Sequence, residues 1–97
     1  MKNPADCSNI DEIRNEIDAI DRNIINLLGE RLLFIKAIVR FKKNKEDVMA
    51  RKRYVQVLEQ RRKWAAERGI DPDIVEKAYR TLMDYFIDEQ KKIMKID

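Results

Sequence analysis

From Ile13 to Lys42 the chain runs some thirty residues without a proline and carries one apolar seam, and no other stretch limits the possible folds so strongly. Ile13, Ile17, Ile20, Ile24, Leu27, Leu28, Arg31, Ile35, Ile38 and Lys42 recur mainly at steps of three and four, which marks one face of an α-helix. Two members of that row are cations. Arg and Lys are seldom buried without a partner, so Arg31 and Lys42 on a core stripe point to a buried anion, either internal or brought by a ligand.

Composition supports helices throughout. Of 97 residues, 40% are charged and 44% hydrophobic, with only two Gly and two Pro, a profile of long amphipathic helices. The expected fold is all-α, without strands, as one domain over residues 1–97. Net charge is +3 and acids and bases are interspersed, which argues against a nucleic-acid or membrane surface but suits a small anionic partner. A single Cys7 and no His leave no pattern for a transition metal. The first residues lack the apolar run of a signal peptide and no window is long and apolar enough to span a bilayer, so the expected compartment is the cytoplasm.

Along the chain, residues 1–8 with Asn3-Pro4 read as a short extended arm. Asn9 followed by Glu12 offers a capping box for the first helix, Ser8 being an equal candidate for the cap, and the helix is expected to run to about Lys42 with Gly29 tolerated inside it. The charged segment 43–47 separates two periodic stretches and reads as a loop that orders over a bound dianion. A second helix is expected from about Val48 to Arg68, with Val55, Leu58, Arg62 and Ala65 in one row, ending at Gly69. Asp71-Pro72 then starts a third helix whose seam is Val75, Tyr79, Leu82, Phe86, Gln90 and Ile93.

A helix from about residue 9 to 42 would be roughly 50 Å long, against a diameter of ~30 Å for a compact domain of this size. Its stripe needs an antiparallel partner, most simply a second copy, and the expectation is an intertwined homodimer. Arg14 and Arg31 lie roughly 25 Å apart along the helix, too far to share a ligand within one chain, but an antiparallel pairing brings Arg14 of one chain toward Arg31 of the other. Lys42 follows Arg31 by about 16 Å on the same face, and Gln90 can close the pocket from the third helix. Two guanidinium forks, an ammonium and an amide suit a compact dicarboxylate. Each residue also has a plainer reading: Arg14 pairing with Asp18, Arg31 with an inward acid, Lys42 capping a helix dipole.

The motifs Met1-Lys2-x-Pro4-x-Asp6-Cys7, Ile13-Arg14, Ile17-Asp18-x-Ile20-Asp21, Leu28-Gly29-x-Arg31, Lys36-Ala37, Arg40-Phe41-Lys42, Arg53, Gly69 and Glu89-Gln90 resemble the all-helical chorismate mutases. Within that family the opening and the Arg40-Phe41-Lys42 step are most similar to the isochorismate-pyruvate lyases of salicylate and siderophore biosynthesis. The resemblance covers essentially the whole chain. It implies a three-helix protomer, an intertwined homodimer with two shared sites, and no cofactor. It also implies that Arg14 of one protomer, with Arg31 and Arg53 of the other, holds the substrate carboxylates, while Lys42 and Gln90 hydrogen-bond around the breaking ether. Arg53 enters by the resemblance alone. Monofunctional mutases usually carry a Glu just after that arginine and an acid a little before it; Tyr54 and Ala50 stand there, which favours the lyase. The alternatives are a monofunctional chorismate mutase and a non-catalytic helical dimerisation module.

Overall fold

A computed structural model describes residues 2–97. Among the described residues every regular element is helical: α1 (Ile10–Ile38), α2 (Lys45–Met49), α3 (Arg51–Glu67) and α4 (Pro72–Met94), with 3₁₀ turns at Pro4–Asp6 and Val39–Phe41. The three long helices expected are present; the single turn α2 is additional. The chain groups into two units, Met1–Phe34 and Ile35–Asp97.

In the first unit, the expected extended arm is instead a 3₁₀ turn. Pro4 stands at its start with φ preset for a turn, and the Asp6 N–H donates to the Asn3 carbonyl at 2.9 Å. The capping box of α1 forms as the spacing predicts. Asn9 Oδ1 accepts the Glu12 N–H at 2.9 Å, while Glu12 Oε2 reaches back to the Ser8 N–H at 2.8 Å and the Lys2 ammonium at 3.2 Å. Both candidate caps therefore take part, Asn9 as acceptor and Ser8 as donor. α1 buries none of its residues, and Ile13, Ile17, Ile20, Ile24 and Leu27 are between 40% and 62% exposed.

The second unit begins with the last turn of α1. The helix stops at Ile38, four residues short of the predicted end, and tightens into Val39–Phe41. Such tightening satisfies terminal carbonyls at a helix end. Lys42 donates its N–H to the Val39 carbonyl at 2.9 Å and leaves in extended conformation, φ −101° and ψ 137°. It is thus not the last rung of the helical seam.

The charged segment 43–47, expected as a loop, instead forms the cap and first residues of α2, which runs on to Met49. Asn44 Oδ1 accepts the Asp47 N–H at 2.9 Å, Glu46 and Asp47 sit in the first turn, and Val48, only 2% exposed, supplies the apolar anchor. Ala50 adopts the left-handed region, φ 42° and ψ 53°, and separates α2 from α3, so the second long helix starts at Arg51 and not at Val48. An alanine there costs about 1 kcal/mol and persists because both of its peptide groups are engaged. Its N–H donates to Glu46 O and its carbonyl accepts from the Tyr54 N–H, each at 2.9 Å.

Gly69, at φ 72°, ends α3 as predicted. Its N–H donates to Ala66 O at 3.1 Å and the Ile70 N–H to Ala65 O at 2.9 Å, the paired bonds of a Schellman motif. Asp71 Oδ1 accepts the Asp73 N–H at 2.9 Å with Pro72 at the first position of α4. Along α4, Phe86 and Gln90 are buried and Val75, Tyr79 and Leu82 half-buried, in the predicted row, while its last member, Ile93, is exposed. On α3 the expected row holds at Leu58, Arg62 and Ala65 and fails at Val55, whose place in the core is taken by Val57. Val57, Leu58 and Ala65 are buried, whereas Val55 is exposed.

Val57, Leu58 and Met83 form the core between α3 and α4, with Tyr54 and Tyr79 packed against them. The Tyr54 hydroxyl donates to Asp84 at 2.9 Å, and Arg61 lies over Trp64 and Tyr79 at 4.5 and 5.6 Å from their ring centroids. Arg62 bridges Asp73 and Glu76. α4 also packs on α2 and on the Val39–Phe41 turn. No helix among the described residues is long and apolar enough to cross a membrane.

Candidate functional site

The five residues singled out fall into two sets. Arg14 and Arg31 belong to the first unit; Lys42, Arg53 and Gln90 belong to the second. Arg14 stands exposed in the second turn of α1 and, among the described residues, makes no ion pair with Asp18. Arg31 is half-buried farther along the same helix.

In the second unit, α4 packs on the turn that leads into Lys42, so Lys42 and Gln90 are carried by neighbouring elements. Lys42 is half-buried and its ammonium donates to the Asp47 carbonyl at 2.6 Å. A carbonyl carries no net charge, so the lysine is directed without being neutralised. Gln90 is 6% exposed and its Oε1, fully shielded, has no hydrogen-bond partner among the described residues. Buried side-chain amides are nearly always satisfied, which marks this one as a group awaiting a partner. The orphaned oxygen is an acceptor and takes a donor such as a hydroxyl, whereas an ether oxygen or a carboxylate would be served by the Nε2 donors of the same amide.

The acid beside it behaves differently. Glu89 is held below the usual carboxylate range first by its hydrogen bond with the Lys92 ammonium and then by the Tyr85 hydroxyl. It is ionised at neutral pH and engaged within α4, with Lys92 at 3.3 Å. Arg53 is exposed and, with Gln56, Glu59, Gln60 and Lys63, lines a shallow depression along one face of α3. Within the single chain this is a solvated polar face. Tyr54, next to it, turns its hydroxyl to Asp84, and desolvation first, then that hydrogen bond, raises its pKa above that of a free phenol.

Reading the sequence missed Asp47. Its side chain accepts the Lys43 N–H at 2.9 Å while its carbonyl receives the Lys42 ammonium. The signal was present, because Asn44-x-x-Asp47 repeats the spacing of Asn9-x-x-Glu12. No cluster of three or more His, Cys, Asp or Glu among the described residues is placed to hold a metal.

Residues 13–91 match the sequence profile of the family described as "Chorismate mutase type II". The chain is 38% identical over 92 residues to the isochorismate pyruvate lyase of Pseudomonas aeruginosa, an alignment spanning 95% of this chain and 91% of that protein. It is also 32% identical over 73 residues to the T-protein of Haemophilus influenzae, spanning 74% of this chain but 19% of that longer protein.

Proposed function

Because the chain belongs to the chorismate mutase type II family, we propose that it is a cytoplasmic isochorismate-pyruvate lyase with weak secondary chorismate mutase activity. The observation that carries this reading is the 38% identity to a lyase across 95% of the chain. In the reaction the ether C–O bond of isochorismate breaks and a ring hydrogen passes to the enolpyruvyl methylene. That fragment leaves as pyruvate and the ring becomes the aromatic salicylate. The process is pericyclic and requires no nucleophile or general base.

The residues proposed for the site have complementary tasks. Arg14 of one protomer, with Arg31 and Arg53 of the other, clamps the substrate carboxylates by bidentate hydrogen bonds. Lys42 stands where negative charge develops on the ether oxygen, and Gln90 donates beside it. Holding the substrate in a compact reactive conformer contributes the remainder. The uncancelled charge of Lys42 supports its role, and for Gln90 the support is its burial on α4, which packs on the turn leading into Lys42. The exposed isoleucine row of α1 supports a homodimer, in which a second, antiparallel copy covers the row and supplies Arg14, making the 97 residues one domain of a shared assembly.

A second reading, a monofunctional chorismate mutase, is favoured by the family description itself. Against it, the acids such mutases carry around the matched arginine are replaced here by Tyr54, whose hydroxyl is occupied by Asp84, and by Ala50, which has no functional group. One assay decides. With isochorismate and chorismate side by side, salicylate plus pyruvate should form with a kcat/KM at least ~10-fold above that for prephenate formation, a difference of about 1.4 kcal/mol in barrier. Prephenate as the principal product would establish the mutase, and no turnover of either compound would leave a helical dimerisation module.

A further inference from the structure

Three backbone and side-chain groups of one residue tie together the segment that follows Lys42. The Asp47 N–H donates to Asn44 Oδ1 at 2.9 Å, its Oδ2 accepts the Lys43 N–H at 2.9 Å, and its carbonyl oxygen accepts the Lys42 ammonium at 2.6 Å. The next residue, Val48, is buried, and α2 packs on α4. A chain of contacts therefore runs from the core through Val48 and Asp47 to the Lys42 nitrogen. We propose that Asp47 is a positioning residue for the reaction: its carboxylate locks the Lys43 peptide, and that lock fixes its own carbonyl as the rest for the Lys42 ammonium.

The geometry solves a specific difficulty. A lysine ammonium rides on a flexible four-carbon stem and must be directed if it is to meet a developing charge. A carboxylate partner would direct it but cancel its charge. Here the Asp47 carboxylate is occupied by the Lys43 N–H, so only the neutral carbonyl reaches the ammonium. Direction is supplied and the positive charge stays available to the ether oxygen. The Ala50 break, in the left-handed region, ends α2 after one turn and keeps this box separate from α3.

The inference rests on Lys42 being the cation at the reacting ether, as proposed above, and the test separates the two. Steady-state kinetics on isochorismate are measured for the full-length protein, D47A, D47N and N44A. Exchange of the Lys43 amide is measured without substrate, and far-UV circular dichroism verifies folding. In D47A the Lys43 N–H loses its acceptor, so its exchange quickens and kcat falls on the order of ten-fold while KM changes by less than about three-fold. D47N retains an oxygen in the same place and should stay within about two-fold of the parent, because the task is positional and not one of charge. N44A, which opens the other half of the same box, lowers kcat in the same sense and provides the readout should D47A fail to fold.

An active parent with D47A or N44A at parental kcat overturns this proposal alone, as does D47N impaired as deeply as D47A. A parent inactive on isochorismate, with the Lys43 amide still protected by Asp47, overturns the lyase reading and this role with it.

Discussion

At the scale of single residues, the central question is what each charge faces. Lys42 rests on a carbonyl and not a carboxylate, so its removal should act on the transition state more than on folding. Lys42→Ala is expected to lower kcat on isochorismate by at least ~100-fold with unchanged helicity by circular dichroism, and near-normal turnover would remove Lys42 from the mechanism. Glu12 provides a prediction in pH. Its carboxyl is lowered from the ordinary value of 4.5, first by the Ser8 N–H and then by Lys2. A depressed pKa contributes stability that is complete above the unfolded-chain value and lost as pH falls through the folded one. Fraying of the first turn of α1 should therefore appear only below about pH 4.5, seen as faster Ser8 amide exchange after correction for intrinsic rates. Equal protection of that amide at pH 3 and pH 6 would show that the cap does not depend on the ionised carboxylate. Arg31, Lys42 and Gln90 stand out in the sequence because each interrupts an apolar row. Arg53 interrupts none, and within one protomer it lies on a solvated face.

At the scale of elements, two helix starts share one device. In both, an Asn caps the helix, an acid three residues on receives the return, and the donor is the N–H of the residue preceding the cap: Ser8 for α1 and Lys43 for α2. The first is legible from spacing, because a long periodic stretch follows it. The second is obscured, because only five helical residues follow and no apolar period announces them. Helix stops are equally legible where glycine makes them. Gly69 sits at φ 72° with nothing within 4 Å of the place a methyl would take, so Gly69→Ala incurs backbone strain and no clash. It should cost about 1 kcal/mol, a fall in Tm of about 4–8 °C for a chain of this length, with turnover at ambient temperature unchanged. An unaltered Tm would mean that the Schellman turn is not needed to end α3. The stop at Ala50 cannot be read in this way, because nothing in an alanine announces a left-handed conformation.

At the scale of the whole molecule, the row Ile13, Ile17, Ile20, Ile24 and Leu27 is exposed in the single chain, and the proposed homodimer would cover it. Ile20→Lys places a charge in the middle of that row. Sedimentation should then move from twice the 11.6 kDa chain mass toward a single chain, and lyase activity should disappear with it, since Arg14 is proposed to come from the partner. A monomeric variant with full activity would exclude a site shared between chains. The helical class, the caps of α1 and α4 and the Gly69 stop were legible in the residues alone, because they depend on periodicity and on groups within a few positions of one another. Packing between distant segments settled where α1 yields to a 3₁₀ turn, that Val48 anchors a helical turn and that Gln90 is buried, whereas the left-handed Ala50 and the Lys42–Asp47 contact rest on bonds within five residues that no residue type announces. Burial of Val48 and Gln90 and the packing of α2 and the 3₁₀ turn on α4 join residues some forty positions apart, and no local pattern in the chain encodes that distance.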